Sequence, residues 1–420
     1  MNQRSYLMNI RVLHLSASDL EGGAARAAFR LHTGLRENGI DSHMLVKSRK
    51  SDNAYVHQVR FNKIRSYFSY HLDYLLWLNR YPGREDVNFS ISFWKAPVMN
   101  AIRSLKPDII HLHWISDNFL SLETIGQLNR PVVWSMHDMN PFTGGCHYDN
   151  NCNRYRTVCG NCPVLHSERQ NDLSTWIQKR KKKIFFAIPG LTMVGLSRWM
   201  QEAASSSSVL QGVHVVNLPN GIDTSQYKPV AKDIAKSLLS VPPDKKVILF
   251  GAQFSNAEKR KGFHHLLKAM SNIERDDLVI VVFGAKADTR DAGIPFPVRF
   301  LGNLHDDLSL CIVYSAADVM VVPSEQENLS NGIMESMACG TPVVAFDIGG
   351  NPDMIKHREN GYLARPFDAD DLREGIRWII DNWEYQTIAE NARDTVVKKF
   401  DIQVVASQYI ELYKSILNIS

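Results

Sequence analysis

Four groups of residues in this chain are of types and spacings that do chemistry. The first lies in the run 323–353, PSEQENLSNGIMESMACGTPVVAFDIGGNPD, where Glu325, Glu327 and Ser330 fall in a loop just ahead of a helical pattern. Such a loop stands beside the free N–H groups of a helix start, a place that accepts anions. The second is a set of histidines at the polar ends of apolar runs: His111 and His113 in DIIHLHW, then His137 and Asp138 after PVVWS. One histidine of this kind is usually a hydrogen-bonded structural residue, but several on one edge point to a site. The third is HDMNPFTGGCHYDNNCNRYRTVCGNCP, where Cys159 and Cys162 have the two-residue gap that lets two thiolates reach one tetrahedral Zn²⁺. Cys146 and Cys152 offer a second pair, with a gap of five residues that is wider than usual. Structural zinc, free thiols, and disulfides or an iron–sulfur cluster therefore all stay open. The fourth is Glu21-Gly22-Gly23, between a strand and a helix, which is a phosphate-approach element or simply a tight turn, because the G-x-G-x-x-G spacing is missing.

Short continuous apolar runs must position these groups. Those at 9–17, 43–47, 108–114, 131–135, 191–197 and 213–217 suit parallel strands covered on both faces, as do 246–252, 278–284, 298–302, 318–322 and 341–346. Helical spacing fills the gaps: 331–339 presents Ile333, Met334, Met337 and Ala338 to one side and stops at Gly340. Helical patterns also cover 262–270, 370–383, 385–400 and 401–417. The turn residues from Leu218 to Asp223 and the prolines after them mark a domain boundary. Two doubly wound α/β domains of the Rossmann-like kind follow, facing one interdomain cleft. The first spans 1–218 with a cysteine-rich insertion at 140–166, the second 219–400, and the helix 401–420 is expected to pack back on the first.

Composition narrows the partners. A net charge of +4 over 420 residues falls short of a nucleic-acid signature. No stretch has the length of a signal peptide's apolar core or of a spanning helix, so the expected location is cytoplasmic. Two segments combine charge with aromatics: FNKIRSYFSYHLDYLLW at 61–77, and 174–188 with the basic run Lys179-Arg-Lys-Lys-Lys183. Each reads as an ordinary core or solvated helix, or as a surface for anionic lipid on the inner face of a membrane.

The motifs Leu218-Pro-Asn-Gly-Ile-Asp223, Lys261-Gly262, Phe300-Leu-Gly302, Pro323-Ser324, the pair Glu327 and Glu335, Ala338-Cys-Gly-Thr-Pro342, Gly349-Gly350 and Asn360-Gly-Tyr-Leu363 come in an order that resembles the retaining glycosyltransferases of family 4, with their GT-B fold. The cysteine segment and the wording ENLSN resemble members that build capsular, exopolysaccharide or colanic-acid-type polymers. The resemblance implies transfer of a sugar, with retention, from a UDP- or GDP-sugar to a saccharide or lipid-linked acceptor. No cofactor would serve catalysis, and zinc would be structural. It implies that Glu335 holds the ribose hydroxyls, Glu327 the transferred sugar, Lys261 the diphosphate and His137 the sugar near the acceptor. Leu329, Ser330, Asn331, Gly22 and Gly23 would meet the phosphates. Carboxylates beside a nucleotide can bind only hydroxyls, whereas a departing diphosphate needs cations and N–H groups. One departure stands out: Phe250-Gly251-Ala252-Gln253 lacks the arginine that relatives carry there, leaving Arg260 as the candidate second cation. Two other readings remain, a different sugar-nucleotide reaction such as epimerisation or phosphorolysis, and an inactive zinc-clipped binding protein.

Overall fold

The computed structural model describes residues 10–59, 77–93, 97–251, 259–271, 273, 275–284, 296–304 and 306–419. The aromatic segment 61–77, apart from Trp77, lies outside the described residues, and so do Ala252 and Gln253. The chain forms two compact units, Met1–Gly221 with Val405–Ser420, and Ile222–Val404.

The first unit is built on β1 (Arg11–Ser18), β2 (Asp41–Ser48), β3 (Val56–Gln58), β4 (Ile109–Leu112), β5 (Val132–Met136), β6 (Thr192–Gly195) and β7 (His214–Asn217). These pair in parallel in the order β3-β2-β1-β4-β5-β6-β7. Every residue of β4, β5 and β6 is buried, as expected of strands covered on both faces. The strand order reverses between β1 and β4, and at such a switch point the loops part and leave room for a ligand beyond the carboxyl ends of the strands. Helix α1 (Gly23–Glu37) follows β1. Gly22 caps it at φ +87°, a backbone conformation that costs glycine nothing. Helix α2 (Leu173–Phe186) carries the basic run and starts at Asp172, whose carboxylate accepts from the Ser174 and Thr175 amides in a capping box.

The second unit repeats the plan with β8 (Lys246–Gly251), β9 (Leu278–Phe283), β10 (Val298–Phe300), β11 (Val319–Val322), β12 (Val343–Phe346) and β13 (Gly361–Ala364). They form a parallel sheet in the order β10-β9-β8-β11-β12-β13, with its switch point between β8 and β11. Helix α3 (Phe263–Met270) begins directly after Lys261-Gly262, and α4 (Asn331–Ala338) joins β11 to β12. Helix α4 ends where its sequence stops it, at Cys339 followed by Gly340 with φ +75°. The last helix, α5 (Ile402–Leu417), belongs to the first unit from Val405 onward. There its Tyr413 and Tyr409 hydroxyls meet His111 and Ser135 on the first sheet, at 2.7 and 3.1 Å.

Candidate active site

In the second unit, β11 delivers the loop 323–330 to the switch point and Gly262 brings a second loop beside it. Gly262 has φ +70°, and a Cβ there would lie 1.8 Å from the Pro323 carbonyl oxygen, so only glycine permits the approach. The Glu325 amide donates to the Arg260 carbonyl at 2.7 Å, which ties the two loops together. As a result the Lys261 ammonium donates to a Glu327 carboxylate oxygen at 2.8 Å. Arg260 donates to the Gln326 carbonyl at 2.7 Å and keeps its guanidinium 4.0 Å from the same carboxylate oxygen. Glu327 is buried. Burial pushes its carboxyl up, but Lys261 and then Arg260 outweigh this and hold it below the usual value, hence ionised at neutral pH.

The Glu327 backbone is fastened from the other side. Gly349 has φ +53°, and a Cβ there would lie 1.9 Å from the Glu327 carbonyl oxygen, which also accepts from the Gly350 amide at 3.2 Å. The Gly349-Gly350 pair is visible in the sequence; its contact with a loop more than twenty residues away is not. Glu335, buried one helix turn into α4, accepts from the Tyr314 hydroxyl at 2.9 Å. Tyr314 is a site residue that sequence reasoning missed, because nothing local links it to Glu335. Ser330 caps α4 without a side-chain hydrogen bond to the first turn, and the start of a helix is a place that accepts anions. Nearby, His264 and His265 each place Nε2 3.2 Å from one oxygen of Glu325.

In the first unit the histidines at the sheet edge do meet. His14 Nδ1 lies 2.9 Å from His113 Nε2, and His113 Nδ1 lies 3.2 Å from His137 Nε2. His111 stands beside this chain with its nitrogens 2.7 Å from the Tyr413 hydroxyl and 2.8 Å from Ser135 Oγ. Burial pushes the pKa of all four rings down, to about 3 for His111 and about 4 for His137, so they are neutral at pH 7. Gly22 and Gly23 lie exposed at the start of α1.

Cys146, Cys152, Cys159 and Cys162 are free thiols. Among the described residues, two groups of three His, Cys, Asp or Glu bring ligand atoms within 4.8 Å of one another, and neither contains a cysteine. The four sulfurs as they stand therefore do not fit a tetrahedral zinc site. The segment is held by hydrogen bonds to α2 and its cap instead. Asp172 accepts from the Cys162 amide at 3.0 Å, Gln178 from the Cys159 amide at 2.7 Å, and Thr175 donates to the Cys159 carbonyl at 2.7 Å. Metal analysis of protein purified without chelator is expected to find less than about half an equivalent of zinc; one full equivalent would require the sulfurs to gather.

The basic run is not one solvated face. Lys181 is buried, donating to the Asn140 and Thr143 carbonyls, and burial lowers its pKa to about 8. Arg180 grips the Glu123 carboxylate at 2.7 and 2.9 Å. Only Lys179, Lys182 and Lys183 face outward, with Phe186 88% exposed after them. No helix among the described residues is long and apolar enough to cross a membrane.

Two doubly wound parallel sheets, each with its polar residues gathered at a switch point, define the GT-B class. The solved structures agree: sucrose-phosphate synthase from Thermosynechococcus elongatus superposes with a TM-score of 0.70 at 19% identity, covering 98% of this chain and 100% of the other. Anabaena HepE in complex with UDP and glucose does so with a TM-score of 0.64 at 20% identity, covering 97% and 100%. Residues 21–226 match the family described as Glycosyltransferase Family 4, and residues 232–395 that described as Glycosyl transferases group 1. An uncharacterized glycosyltransferase of Methanocaldococcus jannaschii is 33% identical over 323 residues, 74% of this chain and 75% of that one. A phosphatidyl-myo-inositol mannosyltransferase of Mycobacterium leprae is 27% identical over 316 residues, 74% of each chain. The lipopolysaccharide core biosynthesis glycosyltransferase LpsE of Rhizobium meliloti is 32% identical over 198 residues, 46% of this chain and 56% of its own. The chain belongs to the group 1 glycosyltransferases of family 4.

Proposed function

We propose that this glycosyltransferase moves a sugar with retention from a UDP- or GDP-sugar to a saccharide acceptor, lipid-linked and destined for a surface polysaccharide, without a metal in catalysis. The observation that carries this reading is the Lys261–Glu327 pair at 2.8 Å beside the start of α4, with Glu335 in the same helix. A cation and the positive end of a helix suit the diphosphate; two ionisable carboxylates suit the hydroxyls of sugar and ribose. In the reaction the bond from the anomeric carbon to the diphosphate oxygen breaks, and the acceptor oxygen bonds to that carbon on the same face. The acceptor proton passes to the departing diphosphate. Lys261 and Arg260 stabilise the charge that develops there, and His137 meets the sugar. Such chemistry asks for positioning and exclusion of water rather than a covalent intermediate. Relatives named for lipopolysaccharide core synthesis and phosphatidyl-myo-inositol mannosylation act on lipid-borne acceptors, which supports a lipid-linked substrate. Lys179, Lys182, Lys183 and Phe186 would rest on an anionic membrane surface.

One HepE complex holds UDP-glucose on this fold, so a donor screen begins there and extends to GDP-sugars. Nucleotide release is expected to depend on acceptor, with the anomeric configuration of the donor kept in the product, as read by NMR coupling constants. Release or interconversion of the sugar that is indifferent to acceptor would favour an epimerase or phosphorylase instead.

A further inference from the structure

Among the described residues two clusters bring three metal-type ligand atoms within 4.8 Å of one another, His14 with His111 and His113, and His264 with His265 and Glu325. They are not alike. The first consists of three buried rings and includes no carboxylate, so a dication there would take its charge into the interior without a compensating anion in its shell. The second joins two imidazoles to one carboxylate near the surface, where water can complete a coordination shell.

His264 and His265 stand in the first turn of α3. Successive side chains leave a helix about 100° apart, so neighbours in sequence ordinarily diverge. These two converge. Their ring centroids lie 4.0 Å apart with the planes inclined at 40°, and each ring holds Nε2 3.2 Å from the same Glu325 oxygen, Oε1. An ion bound tetrahedrally at about 2.0–2.2 Å from nitrogen and oxygen ligands keeps those ligands about 3.3 Å from one another. Both nitrogen-to-oxygen edges of this cluster already have that length.

The fold holds the ligands in place from outside the cluster. His265 meets the Phe346 ring edge-on at 5.2 Å and stacks on Phe367 at 6.0 Å. The Glu325 amide is tied to the Arg260 carbonyl at 2.7 Å, and Gly262 lets the start of α3 approach Pro323. Groups set in position beforehand lose little freedom when they bind.

We propose that His264, His265 and Glu325 form a reversible site for one divalent cation of the Zn²⁺ class, which staples the start of α3 to the loop that follows β11. Two imidazoles and a carboxylate select Zn²⁺, Co²⁺, Ni²⁺ or Cu²⁺ over Mg²⁺ and Ca²⁺, which prefer oxygen ligands throughout. The side chains of His264 and Glu325 are 56% and 38% exposed, so the ion exchanges with solution and is lost during purification unless it is supplied. Its ligands are not those assigned to the donor. It acts by tying together the two loops that carry Lys261 and Glu327, and it stands whatever sugar or acceptor the enzyme uses.

The full chain, freed of any histidine tag and stripped with chelator, is titrated with Co²⁺ and followed by visible absorption. Saturation at one Co²⁺ per chain is expected, with the d–d bands of nitrogen and oxygen ligation, displacement by Zn²⁺ but not by Mg²⁺, and a Tm that rises with the ion. Loss of even an outer partner of a metal site commonly weakens binding about 10–100-fold, so His264→Ala and Glu325→Gln should each cost more than tenfold in Co²⁺ affinity and abolish the gain in Tm. His264→Ala removes an exposed ring and Glu325→Gln keeps the shape of the side chain, so both variants should fold. A sulfur-to-cobalt charge-transfer band in place of the expected spectrum would give the ion to the cysteines and overturn the proposal. So would the absence of saturable binding, or two folded variants that bind Co²⁺ as the parent does.

Discussion

Lys261→Ala is expected to lower kcat about 10²–10³-fold, the usual loss when one preorganised group that stabilises developing charge is removed. The ammonium sits 2.8 Å from Glu327, and among the described residues the other cation beside it, Arg260, stands 4.0 Å from the same oxygen while its guanidinium is anchored on the Gln326 carbonyl. Removing Lys261 therefore has two effects at once. On the proposed reading the departing diphosphate loses a stabilising cation, and Glu327 keeps its burial but loses the larger of its two compensating partners. Because burial raises that carboxyl and Lys261 lowers it, the carboxyl pKa rises in the variant. What activity remains should thus fail at a higher pH on the acid side than in the parent. Glu327→Gln separates the two effects, since it keeps the shape and removes the titration. Steady-state rates across pH 5–8 check the prediction. A Lys261→Ala enzyme within about threefold of the parent, with an unmoved acid limb, would show that the diphosphate is held elsewhere.

The largest effect on stability is expected at Gly262. Alanine there must adopt φ near +70° and place its Cβ 1.8 Å from the Pro323 carbonyl oxygen. The conformation alone costs about 1–2 kcal/mol for an L-residue. The overlap is with backbone rather than with the end of a flexible side chain, so one of the two loops must shift, and the total is expected at about 3–5 kcal/mol. Gly212 provides the comparison: its φ is +80°, and a Cβ there meets nothing within 4 Å. Gly212→Ala should therefore cost only the conformational part. Urea unfolding of the two variants against the parent measures the difference. Equal losses at the two positions would mean that the approach of the Lys261 loop to β11 adds nothing to stability. Because the same approach sets the Lys261–Glu327 distance, Gly262→Ala should also lose most of its activity under conditions where it is still folded.

The elements were legible because their signals are local. A continuous apolar run such as VMVV at β11 reads as a buried strand without reference to the rest of the chain, and Gly340 ends α4 through its own φ of +75°. The short strand β3, whose burial runs from buried Val56 to exposed Gln58, carries too weak a pattern to be read and was not anticipated. The basic run at Lys179–Lys183 shows the limit of composition. On one helix it holds a buried lysine, an arginine paired with Glu123 and three outward lysines, because α2 turns each residue by about a third of a circle relative to the last.

By itself the sequence determined the alternation of strand and helix, the two doubly wound units, the membership in the glycosyltransferase family and the candidate carboxylates Glu327 and Glu335. Periodicity and capping act over one to four residues, so the residue order alone encodes them. Only the tertiary structure decided which side chains those carboxylates face: Lys261 and Arg260 reach Glu327 across 66 positions or more, and Tyr314 reaches Glu335 across 21. It also separated the four cysteines from a shared centre and joined His14 to His137 through His113. The physical reason is that an ion pair, a thiolate cluster or a hydrogen-bonded ring chain depends on distances of about 3 Å. Such distances arise only when strands far apart in the chain lie side by side in one sheet or when a glycine lets two loops touch.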